Sequence, residues 1–338
     1  MTLASLGDLA QSLTLRRNGA DLQRRMDRLT GEMSTGLKAD RSVAVSGDHR
    51  ALTAIESTLG RLGTLKSTVA EAEQFTGAVQ TALGTMQDTA GAILPGLLSA
   101  DSMKNPTQVR TLAADARGRL DSVLATLNVQ VAGRYAMAGS ATDTKPFVDA
   151  ATLLADLGTA IAGQVTVSGV EAAVTAWFDA PAGGGGYLDL AYRGTQTPPG
   201  PFPIDDGTTA TVPATGGDPA IRDYIRGLAT AALVAEGALA GDEPGRAQLV
   251  GRAGATLATA TDAVVALRAD VGVVEERVSN AATRISAETT SLRLARADLV
   301  EADPYDTANA ITDIQTRIET LYALTARLSK LTLTDWLR

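Results

Sequence analysis

Side chains able to move protons, hold metals or attack bonds are few in this sequence, and they do not converge. His49 is the single histidine, just after Ser46-Gly47-Asp48, and cysteine is absent. A general base or metal ligand is conceivable at His49, but a catalytic histidine needs a positioned partner. Without cysteine or a second histidine, a metal site would have to be all carboxylate. An exposed histidine with no chemical role is the plainer reading. Glu301, Asp303 and Asp306 form a small acidic group. A calcium loop requires alternating oxygen ligands, a central glycine and a terminal glutamate. Those are missing, and the group reads as the cap of a following helix. The run Gly183 to Gly186 invites comparison with a phosphate-cradling loop, which places lysine and serine or threonine at the opening of a helix. Here Tyr187 and a strand-like segment follow, so the run reads as a flexible surface turn. No catalytic, cofactor-binding or metal-binding residue is assigned, and an enzyme is not expected.

Two other residues are suited to contacts rather than chemistry. Glu288 interrupts an otherwise apolar seam. It either meets a basic partner that fixes register or faces solvent, and solvation is favoured because an unpaired buried carboxylate is costly. Trp336, after Asp335, is either a simple apolar plug or an interface residue, since large amphipathic aromatics favour interfaces.

The elements that would carry such contacts follow from composition and periodicity. The 338 residues allow two or three domains. Apolar residues make up 45% but aromatics only 4%, so the apolar content is mostly Ala, Leu and Val. That suits close helix packing and a long shape more than an aromatic-rich enzyme interior. The net charge of −8, without a concentrated run of Lys and Arg, argues against a nucleic-acid partner. No segment approaches the roughly 20 apolar residues needed to cross a bilayer, so membrane insertion is not expected. Met1 to Met33 lacks a charged region followed by an apolar one, and export, if any, is expected to bypass the general secretory route.

The strongest pattern lies late in the chain. Steps of three and four residues from Val250 reach Leu257, Val264, Leu267, Val271, Val274, Val278, Ile285 and Leu299, and only Glu288 among fifteen positions is not apolar. Such a heptad repeat predicts a long helix packed along one seam, about 75 Å in length. An earlier run from Leu52 through Leu59, Leu62, Val69, Val79, Leu83 and Ile93 offers a partner, ended by Pro95-Gly96. A third, Val109 through Leu120 and Leu127 to Val131, has the eleven-residue spacing of a nearly straight helix. The predicted rod core is Leu59, Leu62, Val69, Leu120, Leu127, Leu267, Val271, Val274, Val278 and Ile285.

Both ends carry shorter stripes: Leu9 and Leu13, then Leu22, Met26, Leu29 and Met33; and Ile311, Ile314, Ile318, Leu321 and Leu328, with Asp303-Pro304 as a helix start. Helices this short are marginal alone in water. With Trp336 they are assigned as an assembly interface. Eight of the 12 prolines lie between Pro146 and Pro219, among strand-like segments at 164–167, 174–178, 187–192 and 208–212, before a helix from Asp218-Pro219. The predicted architecture is mainly α: an elongated antiparallel helical rod with coiled-coil termini and a small β-rich (α+β) insert. Residues 1–47 and 303–338 form the terminal helices, 48–140 and 236–302 the rod, and 141–235 the insert.

This layout resembles the flagellin family, and four stretches carry the likeness. Ser34-Thr35-Gly36-Leu37-Lys38-Ala39-Asp40 looks like the family's N-terminal segment. Gly133-Arg134-Tyr135-Ala136-Met137-Ala138-Gly139-Ser140, with Thr142 to Phe147, is similar to a signature of its hook–filament junction members, which usually carry Phe where Met137 stands. Glu301 to Asp306 matches the acidic stretch before the last helix. Leu331 to Leu337 resembles the junction members' ending, although Arg338 follows, as in filament flagellins. The likeness covers roughly 1–147 and 236–338. It implies an extracellular flagellar subunit, exported unfolded by the type III apparatus, with termini folding on assembly. It also implies partners: the hook-side junction protein, filament flagellin, further copies of the chain and an export chaperone.

Overall fold

The computed structural model describes residues 3–40, 49–102 and 105–336, with side chains described from 10 to 327 within those ranges. The Ser46-Gly47-Asp48 segment lies outside them, as do the side chains of Leu9, Leu328 and Trp336. The described elements run α1 (Leu3–Thr35), α2 (Arg50–Ser99), a 3-10 turn (Ala100–Ser102), α3 (Pro106–Leu127), β1 (Gln130–Val131) and β2 (Arg134–Tyr135). They continue with α4 (Ala150–Ala160), α5 (Val167–Asp179), α6 (Tyr187–Leu190), β3 (Phe202–Asp205), β4 (Thr208–Ala210), α7 (Pro219–Ala232), α8 (Glu243–Val300) and α9 (Pro304–Trp336). The mainly α expectation holds, with two small antiparallel hairpins as the sheet content among the described residues. The chain divides into two compact units, one of residues 64–286 and one of residues 1–63 with 287–338.

Within the 64–286 unit the heptad seams explain the packing. Every seam position of α8 from Val250 to Ile285 is buried, as are Val69, Val79, Leu83 and Ile93 of α2. The two helices run antiparallel. A β-carbon at Gly254 would lie 2.8 Å from Leu97 Cβ, so this glycine lets the backbones close together. Further along, the Gln80 side-chain amide donates to Arg268 O (3.0 Å), and Arg268 Nε donates to Gln80 Oε1 (3.0 Å). Tyr224 of α7 donates to Met86 O at 2.6 Å, seating α7 on α2. Helix α3 opens on Asn105, whose side chain accepts the Thr107 N–H, with Pro106 preset for the first turn.

Three local expectations are corrected. Pro95-Gly96 does not end its helix: α2 continues to Ser99, because Leu97 and Ala100 are fully buried and their packing outweighs the backbone hydrogen bond that Pro95 cannot donate. Val131 is not helical. Helix α3 stops at Leu127, and Ala132 (φ 49°) and Gly133 (φ 78°) make the tight turn of the β1–β2 hairpin. The insert is not chiefly β. Residues 174–178 lie inside α5, whose buried Val167, Val170, Val174, Trp177 and Phe178 follow helical spacing under a Thr166 cap. Residues 187–190 form α6, leaving Tyr192 only an isolated bridge to Phe147. Residues 164–166 are not strand, and Val167 opens α5; of the fourth segment, Thr208–Ala210 is strand. β-branched and aromatic side chains in a short run are equally suited to a buried helix, and the caps decide.

Candidate assembly interface

In the unit of residues 1–63 with 287–338, α1 and α9 pack against one another. A β-carbon at Gly19 would sit 3.6 Å from Leu321 Cδ2, and Leu37 bridges Glu301 in antiparallel sense. This register sets Leu22, Met26 and Leu29 at the levels of Ile318, Ile314 and Ile311. All seven apolar residues, counting Leu321, are only partly buried. Leu13 (58% exposed) and Met33 (47%) are more open still, and Tyr305, Tyr322 and Leu324 add exposed apolar surface on α9. Two helices bury one stripe each and leave the rest of their apolar surface without cover.

Two stretches singled out in the sequence meet here. Gly36 takes φ 69° and its N–H reaches Glu32 O at 2.8 Å, closing α1 with a left-handed cap. The chain then exchanges two backbone hydrogen bonds with the end of α8: Lys38 N–H to Val300 O (2.9 Å) and Ala302 N–H to Gly36 O (3.0 Å). Asp303 accepts from the Tyr305 and Asp306 N–H groups at 2.8 and 3.1 Å, so the acidic group caps α9 as its spacing indicates. Glu288 and His49 are exposed.

The predicted rod-core residues divide between the units. Val69, Leu120, Leu127, Leu267, Val271, Val274, Val278 and Ile285 are all buried in the larger unit. In the smaller, Leu62 is buried and Leu59 partly so. Past Ile285 the α8 seam changes character: Leu292, Ala295 and Leu299 are only partly buried.

The Gly133–Phe147 stretch is structural, and sequence reasoning missed how. Ala136, Met137 and Ala138 are fully buried. Met137 O accepts the Gly216 N–H (2.8 Å), and Ala138 O accepts the Thr195 N–H (2.9 Å). A β-carbon at Gly139 (φ 64°) would stand 2.1 Å from Thr195 O, so glycine is required. The Asn128 side chain holds both backbone groups of Phe147 (2.9 and 3.2 Å). Beside it lies a cluster of Phe147, Trp177, Phe178, Tyr187 and Tyr192, five of the chain's 12 aromatics. Burial raises the Tyr192 phenol to a pKa of about 12 and Tyr187 well above the ordinary tyrosine value. Sparse aromatics gathered around one motif were the available signal.

The glycine run is equally settled by geometry. The Gly183 and Gly185 N–H groups point at the Asp189 carboxylate, 2.8 and 2.7 Å away, and these amide contacts hold Asp189 below the usual carboxylate range. The amides that could cradle a phosphate are occupied by the chain's own anion. Among the described residues no group of three or more His, Asp or Glu could hold a metal, and no helix is long and apolar enough to cross a membrane.

Residues 255–337 match the family described as the bacterial flagellin C-terminal helical region. That span takes in most of α8 and α9. The FlgL crystal structure from Bacillus cereus is similar to this chain at 14% identity and a TM-score of 0.50, over 71% of this chain and 97% of that one. A flagellar hook-associated protein from Vibrio parahaemolyticus gives 13% identity and a TM-score of 0.51, over 75% and 99%. No curated protein matches the sequence. Residues 255–337 are thus similar to the flagellin C-terminal helical region, and the fold is similar to that of two flagellar hook-associated proteins.

Proposed function

We propose that this protein is a structural, non-catalytic subunit of the bacterial flagellum, the junction protein that joins hook to filament. The observation that carries the reading is the coincidence of the flagellin C-terminal region with α9, whose apolar seam stays partly exposed against α1. Apolar stripes left open in one chain gain burial only from neighbouring chains, and whatever binds the folded form stabilises it by mass action. The neighbours are further copies, the hook-side junction protein and filament flagellin. Before assembly the same stripes need cover, which a cytoplasmic export chaperone supplies, and the subunit leaves unfolded through the flagellar type III channel. Leu9, Leu13, Leu328 and Trp336 extend the stripes and belong to the same interface.

Deleting the gene tests the reading. A junction role requires filament protein to appear in the medium unattached, and intact filaments on the mutant cells refute it. The match to the flagellin family also favours a second reading, a filament subunit. Abundance separates the two, because a filament subunit dominates sheared flagella and a junction protein is scarce there. Protease resistance of residues 1–40 and 305–338 in the purified monomer would refute burial by neighbours.

A further inference from the structure

Two of the chain's 4 phenylalanines, Phe75 on α2 and Phe202 on β3, meet at a single point away from the main aromatic cluster, with ring centroids 5.5 Å apart. Arg134, the second residue of the Gly133–Phe147 stretch, stands over both rings, its guanidinium carbon 5.7 Å from Phe75 and 5.4 Å from Phe202. The same guanidinium pairs with Glu71, one turn before Phe75 on α2. One planar cation therefore touches a carboxylate and a ring of α2, and a ring carried by the β3–β4 hairpin. Guanidinium is suited to this, since its face stacks on aromatics while its edge binds carboxylate.

Besides the arginine, the hairpin is held through its buried inner face and through contacts with α8. Among the described residues its two strands pair only with each other. Towards α8 it makes exposed contacts, Arg284 to Asp205 at 3.0 Å and Arg277 to Thr209 O at 3.4 Å. Exposed ion pairs contribute little, and an isolated two-stranded hairpin is marginal in water. Phe202 and Ile204 are nonetheless buried, so the strand is firmly seated through its inner face.

We propose that Arg134 is a positioning residue, the pin that fastens the β3–β4 hairpin to α2 and so fixes how the insert of residues 141–235 sits on the helices of its own unit. The β1–β2 turn, with Ala132 and Gly133 at positive φ, presents the arginine to that place. The pin works through stacking and pairing together, which a lysine cannot reproduce.

Hydrogen exchange on the full-length protein tests this, comparing wild type with Arg134→Ala, Arg134→Lys and Phe202→Leu. The expected result for Arg134→Ala is exchange about tenfold faster across Phe202–Asp205 and Thr208–Ala210, with the core amides of α7 unchanged. Arg134→Lys should recover less than half of the lost protection. Adding Arg134→Ala to Phe202→Leu should cost less than it does alone, because the stack is already gone. Equal acceleration throughout residues 64–286 would overturn the proposal, as it marks a general packing loss. Unchanged hairpin exchange, full rescue by lysine, or strict additivity with Phe202→Leu would overturn it too.

Discussion

Truncating one seam residue in each unit separates burial provided by the chain itself from burial that neighbours must provide. Leu257 on α8 is fully buried, and a β-carbon at Gly227 would lie 2.9 Å from its Cβ, so α7 closes directly over it. Leu257→Ala removes three carbons, about 2.4 kcal/mol of transfer energy at roughly 0.8 kcal/mol per buried methylene. The rigid surroundings add a cavity penalty, for a total of about 3–4 kcal/mol. Ile318 on α9 is partly exposed. Ile318→Ala removes the same number of carbons, but solvent already reaches the site and no sealed cavity forms, so the cost to the monomer is about 1 kcal/mol. If neighbouring subunits complete the burial, the same truncation loses the remaining transfer energy and the cavity penalty at every interface in the assembly. Global unfolding of the purified monomer in denaturant, followed by hydrogen exchange in each unit, gives the monomer costs, and filament attachment in complemented cells gives the assembly cost. Leu257→Ala should be severe in the tube and Ile318→Ala mild in the tube but severe on the cell. A monomer as damaged by Ile318→Ala as by Leu257→Ala would show the terminal pair to be a closed core, and the reasoning would fail.

Other outcomes follow from single contacts. Gly139→Ala forces a β-carbon onto Thr195 O at a left-handed position and should cost about 2–4 kcal/mol, seen as a lowered midpoint in thermal unfolding. Gly254→Val wedges α2 from α8 at Leu97 and should cost about 1–3 kcal/mol, whereas Gly118→Ala, with open space around it, should be neutral or slightly stabilising in the same assay. Burial raises the Tyr192 phenol from 10 to about 12, so the stability it contributes is complete below pH 10 and is lost as pH climbs through 12. Phenolate absorbance and circular dichroism should therefore change together in that window, and phenolate formation from Tyr192 in an intact fold would contradict the burial argument. Asp189 runs the opposite way: its carboxylate is held low by the Gly183 and Gly185 amides, so acid should loosen that loop only below the usual carboxylate range, as loop amide exchange would report.

How much of this was legible depended on the length of the signal. The α8 repeat runs for many turns, and its seam is buried without a break from Val250 to Ile285. A pattern that long survives any one local exception. The Asp218-Pro219 and Asp303-Pro304 starts were readable for a different reason, since each is a local device whose partners, Ala220 and Tyr305, lie two residues away. The insert failed because its segments are short. Val174 to Phe178 looks like a strand until the Thr166 side chain is seen accepting the Gly169 N–H and thereby starting a helix. Pro95 failed through tertiary override, with Leu97 packed where Gly254 leaves room. Arg134 was visible as part of a motif but not as a pin, because Glu71, Phe75 and Phe202 are joined to it only by the fold.

A heptad repeat has one physical requirement, that something apolar lie against each a and d position. Up to Ile285 that requirement is met inside the chain, by α2, α7 and their neighbours. Glu288 then breaks the stripe and stands in solvent, and Leu292, Ala295 and Leu299 are left partly covered, as are Ile311, Ile314 and Ile318 beyond the Asp303 cap. The periodicity continues across this point while the supply of partners does not. Selection for a stable monomer alone gives no reason to keep leucine and isoleucine at regular spacing on surfaces that the monomer leaves half open, since surface positions tolerate polar residues at little cost. On the proposed reading, the other half of that core belongs to neighbouring chains.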